Sequence, residues 1–217
     1  MDGLYNLNDM VKAGCNDCKG CSECCRGMGQ SIVLDPYDIW QLECNLGSSF
    51  AGLLQEKELI ELSINDGLIL PNIKMQGSLE CCGFLNGKGR CAIHAFRPGL
   101  CRLFPLGRNY DEGRLQYFLL EDACTNTTAA KVKIKKWLGI ANSGKYEEFL
   151  IKWHGLCKGL KEKFSGMELD SDDMETMKAV NMKLLRVFYE TLYTAGDFFG
   201  QFEERMSIFH TNLLGRV

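Results

Sequence analysis

Between Cys15 and Gly29 the chain reads CNDCKGCSECCRGMG, five cysteines within eleven residues in the spacing C-x-x-C-x-x-C-x-x-C-C. Thiols so placed reach one small volume, which is what a metal ion or an iron–sulfur cluster demands of its ligands. Gly20, Gly27 and Gly29 interrupt the run, supplying the backbone freedom that a chain wrapped around a metal centre needs, so loops are predicted here and not a helix. Cys24 and Cys25 are adjacent, and neighbouring side chains diverge. Their two sulfurs are therefore expected to serve different centres, or one of them to stay free for chemistry.

A second cysteine region, ECCGFLNGKGRCAIHAFRPGLCRLFPLGR, runs from Glu80 to Arg108, with turns at Asn86-Gly87 and Lys88-Gly89 that can fold it back on the first. Cys124 follows a strand-like run. Cys18, Cys21, Cys24, Cys25, Cys82, Cys91, Cys101 and Cys124 make eight candidate ligands, enough for two four-thiolate centres or for one centre with spare thiols. With only three histidines, His94, His154 and His210, the donor set is sulfur. That favours an iron–sulfur cluster, 4Fe–4S foremost, or a structural zinc over a catalytic zinc with its histidines and open position. Such a centre is anionic, and Arg97 and Arg102 are candidates to contact it; the competing reading for these arginines and for Arg108 is pairing with loop carbonyls or with Asp35 and Asp38. His94, between two candidate ligands, is expected to pack or hydrogen-bond within its loop. Cys44 and Cys157 fall on predicted helices and are expected in the core.

The positioning elements follow from the remaining sequence. Ser31 to Leu34 has strand character and ends at Asp35-Pro36, a cap followed by a proline at the first helical position, which predicts a helix from Pro36 to about Asn45 with Gly47 ending it. A second short helix is expected through Phe50, Leu53 and Leu54, then strands at Leu68 to Ile73, after the Asp66-Gly67 turn, and at Leu115 to Leu120. Residues 1–14 read as a lead-in with at most one helical turn. Beyond about Thr128 cysteine nearly vanishes and apolar spacings of three and four predict helices at Ala129–Leu138, Lys145–Phe164, Asp172–Leu192 and Asp197–Leu214. Phe188, Tyr189, Tyr193, Phe198, Phe199 and Phe202 are the expected seam among them. The acids around Asp170 mark a helix start and not a calcium loop. Lys131, Lys133, Lys135 and Lys136 would spread around a helix as a solvated face.

Composition narrows the function classes. The 217 residues are 46% hydrophobic and 24% charged with only 4 prolines, an ordinary globular balance. A formal charge of −3 gives no global attraction to nucleic acid, and no segment approaches a bilayer span. The first residues lack a secretory signal, so a cytoplasmic protein without membrane attachment is expected, and twelve cysteines in a reducing compartment read as ligands or reactive thiols. The radical S-adenosylmethionine spacing C-x-x-x-C-x-x-C is absent, because Cys21 and Cys25 are followed by Met28 at the third position, and no phosphate-binding glycine motif occurs.

Cys18-x-x-Cys21-x-x-Cys24-Cys25, Cys82-Gly83-Phe84-Leu85, and Cys91-x-Ile93-His94-x-x-Arg97-Pro98-x-x-Cys101-Arg102-x-Phe104-Pro105 together resemble the YkgJ-like cysteine-cluster family, the zinc- or iron-chelating CxxCxxCC domain, over roughly residues 15–125. The resemblance implies a metal or iron–sulfur domain. Cys15 and Cys81 are thiols beyond the family positions, either able to replace a neighbour. Some flagellin lysine N-methylases carry a similar cysteine motif, so a methyltransferase is an alternative, as is a non-enzymatic zinc module that recruits a protein partner. The expected fold is α-rich α+β: a cysteine-cluster domain over residues 1–127 with short strands and helices, then a helical subdomain over 128–217.

Overall fold

The computed structural model describes residues 3–13, 21–124, 130–168, 170–194 and 196–214. The fold is α+β and rich in helix, with short strands in small sheets. Among the described residues the strands are β1 (Met10–Val11), β2 (Ile60–Asn65), β3 (Leu68–Ile73), β4 (Met75–Gln76), β5 (Cys81–Cys82), β6 (Leu106–Asp111), β7 (Arg114–Leu119) and β8 (Val132–Lys133). Its helices are α1 (Pro36–Leu46), α2 (Gly99–Leu103), α3 (Ile134–Leu138), α4 (Ser143–Ser165), α5 (Ser171–Leu185) and α6 (Phe198–Leu214). The strands pair two by two, β1 with β8, β2 with β3, β4 with β5 and β6 with β7. Two compact units result, each built from two stretches: residues 1–32 with 73–151, and residues 33–72 with 152–217.

In the first unit the β6–β7 hairpin is the longest ladder, in antiparallel register from Leu106↔Leu119 to Asp111↔Arg114. Gly107 leaves room there for the Phe118 ring, which a Cβ at that position would displace. Tyr117 is fully buried and pairs through its backbone with Tyr5, while its hydroxyl donates to Glu147 Oε1 at 2.9 Å. The lead-in is therefore strand and not a helical turn, because Met10 and Val11 find backbone partners in Lys133 and Val132. The same pairing shortens the helix expected over Ala129–Leu138 to α3, its predicted first residue lying outside the described chain. Of the four lysines expected on it, only Lys135 and Lys136 are helical.

The second unit starts with α1, as the Asp35-Pro36 signal predicts. Asp35 accepts from Asp38 N at 2.9 Å and Asp38 from Asp35 N at 3.2 Å, a reciprocal capping box, and Gly47 closes the helix in the left-handed conformation at φ 60°. Cys44 lies one step past the buried Leu42–Glu43 face and is exposed, which corrects its expected place in the core. Cys157 is half-buried on α4, and burial pushes its thiol up to about 12. The expected strand at Ser31–Leu34 is reduced to a single bridge, Val33↔Asn72. The second short helix is a wide turn over Gly52–Glu56, and the predicted helix to Leu192 ends in another such turn over Arg186–Glu190.

Arg205 terminates that last turn: its guanidinium donates to the carbonyls of Val187, Thr191 and Leu192 at 2.7–3.0 Å and lies 3.4 Å from the centre of the Tyr193 ring. Around it the aromatic seam forms as expected. Phe188, Tyr189, Phe198 and Phe202 are buried, with Phe198 within 5.5 Å of the Tyr37, Trp40, Tyr193 and Phe199 ring centres. Asn181 of α5 clamps the β2–β3 turn, accepting from Ile69 N and donating to Gly67 O. Asp170 caps α5 through Asp172 N and Asp173 N. Among the described residues no helix is long and apolar enough to cross a membrane.

Candidate metal centre

The site lies wholly within the first unit, and short backbone pairings assemble it. Glu23–Cys25 form one tight helical turn, which presents Cys24 and Cys25. Just after it, Arg26 bridges to Cys81, and Gly27 N donates to Glu80 O at 2.9 Å with Gly27 at φ 62°. The first cysteine loop is thereby fastened to β5. The strand itself pairs Cys82 with Met75 and Cys81 with Gln76. Beyond it the Asn86–Arg90 turn, closed by Asn86 N to Arg90 O at 2.9 Å, lets Leu85 bridge to Cys91. Cys101 sits on α2, and Cys124 follows the end of β7.

These pieces surround a cavity of about 110 Å³. Cys21, Cys24 and Cys25 line it from the first loop, and Cys82, Cys91, Cys101 and Cys124 from the second region and beyond. Apolar side chains, among them Ile32, Ile73, Phe84 and Phe104, complete the wall. Seven of the eight candidate ligands thus share one cavity; the eighth, Cys18, lies outside the described residues, as does Cys15. Cys81 does not line it. Successive side chains of a strand point to opposite faces, and the Cys81 sulfur instead receives a hydrogen bond from Arg26 Nη1 at 2.7 Å. Cys44 and Cys157 are also not part of the lining.

The thiols sense one another. The Cys25 hydrogen bond, followed by burial, holds the Cys24 thiol well above its ordinary value. Burial raises Cys82 and Cys91 as well, with the Cys24 charge adding to both and the Arg97 and Arg90 charges pulling Cys91 back. Without metal these sulfurs keep their protons, so a metal must displace them on binding. Among the described residues no three cysteine, histidine or carboxylate side chains already stand at coordinating separation. The donor set, seven thiols with His94 and Glu23 beside them and more sulfur than one zinc ion uses, fits a thiolate-bound zinc or iron centre.

The arginines divide between the two readings that the sequence left open. Arg97 lines the cavity, lies against His94 Nε2 and donates to His94 O at 3.2 Å. A guanidinium only donates, so His94 Nε2 is an acceptor there. Arg102 does not line the cavity: it donates to the carbonyls of Arg97 at 2.8 Å, Ala95 at 2.6 Å and Leu138 at 3.4 Å, the loop-carbonyl role. Arg108 donates to Tyr146 Oη at 3.1 Å. Arg90, which sequence reasoning did not single out, lines the cavity beside Arg97. The available signal was its position immediately before Cys91.

A family model described as "CxxCxxCC: Putative zinc- or iron-chelating domain" matches residues 17–133, more than half of the chain. No curated protein and no solved structure matches it.

Proposed function

The chain belongs to the CxxCxxCC zinc- or iron-chelating domain family, and from that premise we propose that it holds one iron–sulfur cluster, of the 4Fe–4S type, in the thiol-lined cavity of its first unit. The observation that carries this reading is the gathering of seven cysteines around one cavity, where Glu23 and His94 are the carboxylate and imidazole beside them. Thiolates drawn from Cys18, Cys21, Cys24, Cys25, Cys82, Cys91, Cys101 and Cys124 would hold the cluster, which when bound supplies one-electron chemistry. The chain's own contribution is to exclude water with Ile32, Ile73, Phe84 and Phe104 and to set the local charge through Arg97. Such a centre suits a reducing, cytoplasmic setting and a redox or protein-modifying role.

Structural zinc is the second reading, favoured by the same thiol lining, since four thiolates also hold a structural zinc. Anaerobic purification separates the two. Iron with equimolar acid-labile sulfide, a brown colour and bleaching by dithionite are expected. A colourless protein carrying stoichiometric zinc, with no iron taken up on reconstitution, would overturn the cluster reading and leave the zinc one.

A further inference from the structure

We propose that Arg90 joins Arg97 in compensating the negative charge of the metal–thiolate centre, a contact that the sequence had suggested for Arg97 and Arg102. The inference rests on the thiolate-centre reading above and concerns how that site keeps its metal.

Three arginines lie near the candidate ligands of the second cysteine region; Arg90 and Arg97 line the cavity and Arg102 does not. Arg102 spends its guanidinium on the carbonyls of Arg97, Ala95 and Leu138, and Arg97 leans on His94. Arg90 differs. It is half-buried and one of the residues that line the cavity, and among the described residues its guanidinium donates to no carbonyl or carboxylate. Its backbone is held independently of the side chain, the carbonyl accepting from Asn86 N at 2.9 Å and the N–H donating to Asn86 Oδ1 at 3.1 Å. The turn therefore holds the Arg90 backbone next to Cys91 without using the guanidinium to build the turn. Glu23 lines the same cavity with the opposite sign, so the thiolate wall depends on Arg90 and Arg97 for positive charge.

A zinc ion with four thiolates, or a four-iron cluster with four thiolates, carries net negative charge. A cation held at its edge in a partly desolvated wall stabilises the metal-bound state over the protonated, metal-free one. Deleting that charge should weaken metal retention by roughly tenfold, as expected for one unit charge near a charged centre at an intermediate effective dielectric. Lysine keeps the charge and should keep most of the retention.

The test compares full-length wild type, Arg90→Gln, Arg90→Lys and, as an exposed control on β7, Arg114→Gln. All are purified anaerobically, and each is titrated with a chelator against whichever metal it carries. For Arg90→Gln, half of the metal should leave at about tenfold lower chelator concentration; Arg90→Lys should stay within threefold of wild type, and Arg114→Gln should match it. Equal retention in Arg90→Gln and wild type overturns the assignment while leaving the metal centre standing. So does an Arg90→Gln protein that fails to fold with metal supplied, since that shows a structural use of the side chain. A wild type that carries no iron and no zinc removes the centre and this inference together.

Discussion

Replacing Arg102 by alanine should destabilise the first unit without emptying its metal site. The side chain ties the segment between His94 and Cys101 to the end of α3: two bonds, to Arg97 O at 2.8 Å and Leu138 O at 3.4 Å, are partly buried, and the third, to Ala95 O at 2.6 Å, is exposed. A hydrogen bond from a charged donor contributes about 1.5–3 kcal/mol when buried and considerably less in water. The long Leu138 contact and the exposed Ala95 contact sit at the bottom of that range, and water can reach the carbonyls that are released. The expected loss is about 2–3 kcal/mol, a drop of roughly 5–10 °C in the melting temperature for a chain of this size. Urea unfolding of metal-loaded protein, followed by tryptophan fluorescence with metal content measured in parallel, reads both quantities. Trp137 reports on this region directly, because its Nε1 donates to Leu103 O at 3.1 Å. If Arg102→Ala left stability within about 0.5 kcal/mol of wild type but halved the metal content, the clamp would be wrong and a direct contact with the centre right.

Three other outcomes are expected. Cys82→Ser should lose metal, since Cys82 faces the cavity, whereas Cys81→Ser should retain it, since that sulfur is turned to Arg26; metal analysis of the two purified variants decides. Asp35→Ala removes the acceptor of the Asp38 N–H in a buried capping box and should cost about 1–2 kcal/mol in urea unfolding; a change under about 0.5 kcal/mol would discount the cap. Burial raises the Glu147 carboxyl above its ordinary value, the Tyr117 hydroxyl bond opposing it. A raised folded-state value means that the folded chain binds the proton more tightly than the unfolded one. This contribution to stability is complete below the unfolded value, near 4.3, and is lost as pH rises through the folded one. Glu147→Gln should therefore flatten the fall in stability above about pH 4, measured by urea unfolding across pH; an unchanged slope would assign it to another group.

What the sequence made legible was chemistry with a local spacing. The C-x-x-C repeats, the turn residues between Gly83 and Arg90, and the Asp35-Pro36 start with its Gly47 stop each encode their result within a few residues, and α1 follows them to within one position. What escaped depends on distant backbone. Met10–Val11 could not be recognised as strand because its partner lies at Val132–Lys133, and that same pairing trimmed α3 and redistributed the lysines. The composition change near residue 128 marks where cysteine gives way to helix formers, whereas each compact unit joins two separate stretches, an interleaving that no composition profile displays. At the site, spacing alone could not say which of two adjacent thiols faces inward. The β4–β5 pairing supplies that, turning Cys82 to the cavity and Cys81 to Arg26. The two readings open for the arginines could not be separated by spacing for a similar reason: Arg102 follows a candidate ligand directly, yet on α2 it bonds to carbonyls, while Arg97 and Arg90 line the cavity.

The most direct test is the iron, zinc and acid-labile sulfide content per chain of anaerobically purified wild type, set beside Cys91→Ser. Iron with matching sulfide in the wild type, lost in the variant, is the expected result. A folded wild type that holds neither iron nor zinc after reconstitution, or a Cys91→Ser protein that keeps its full complement, would contradict a thiolate centre in this cavity.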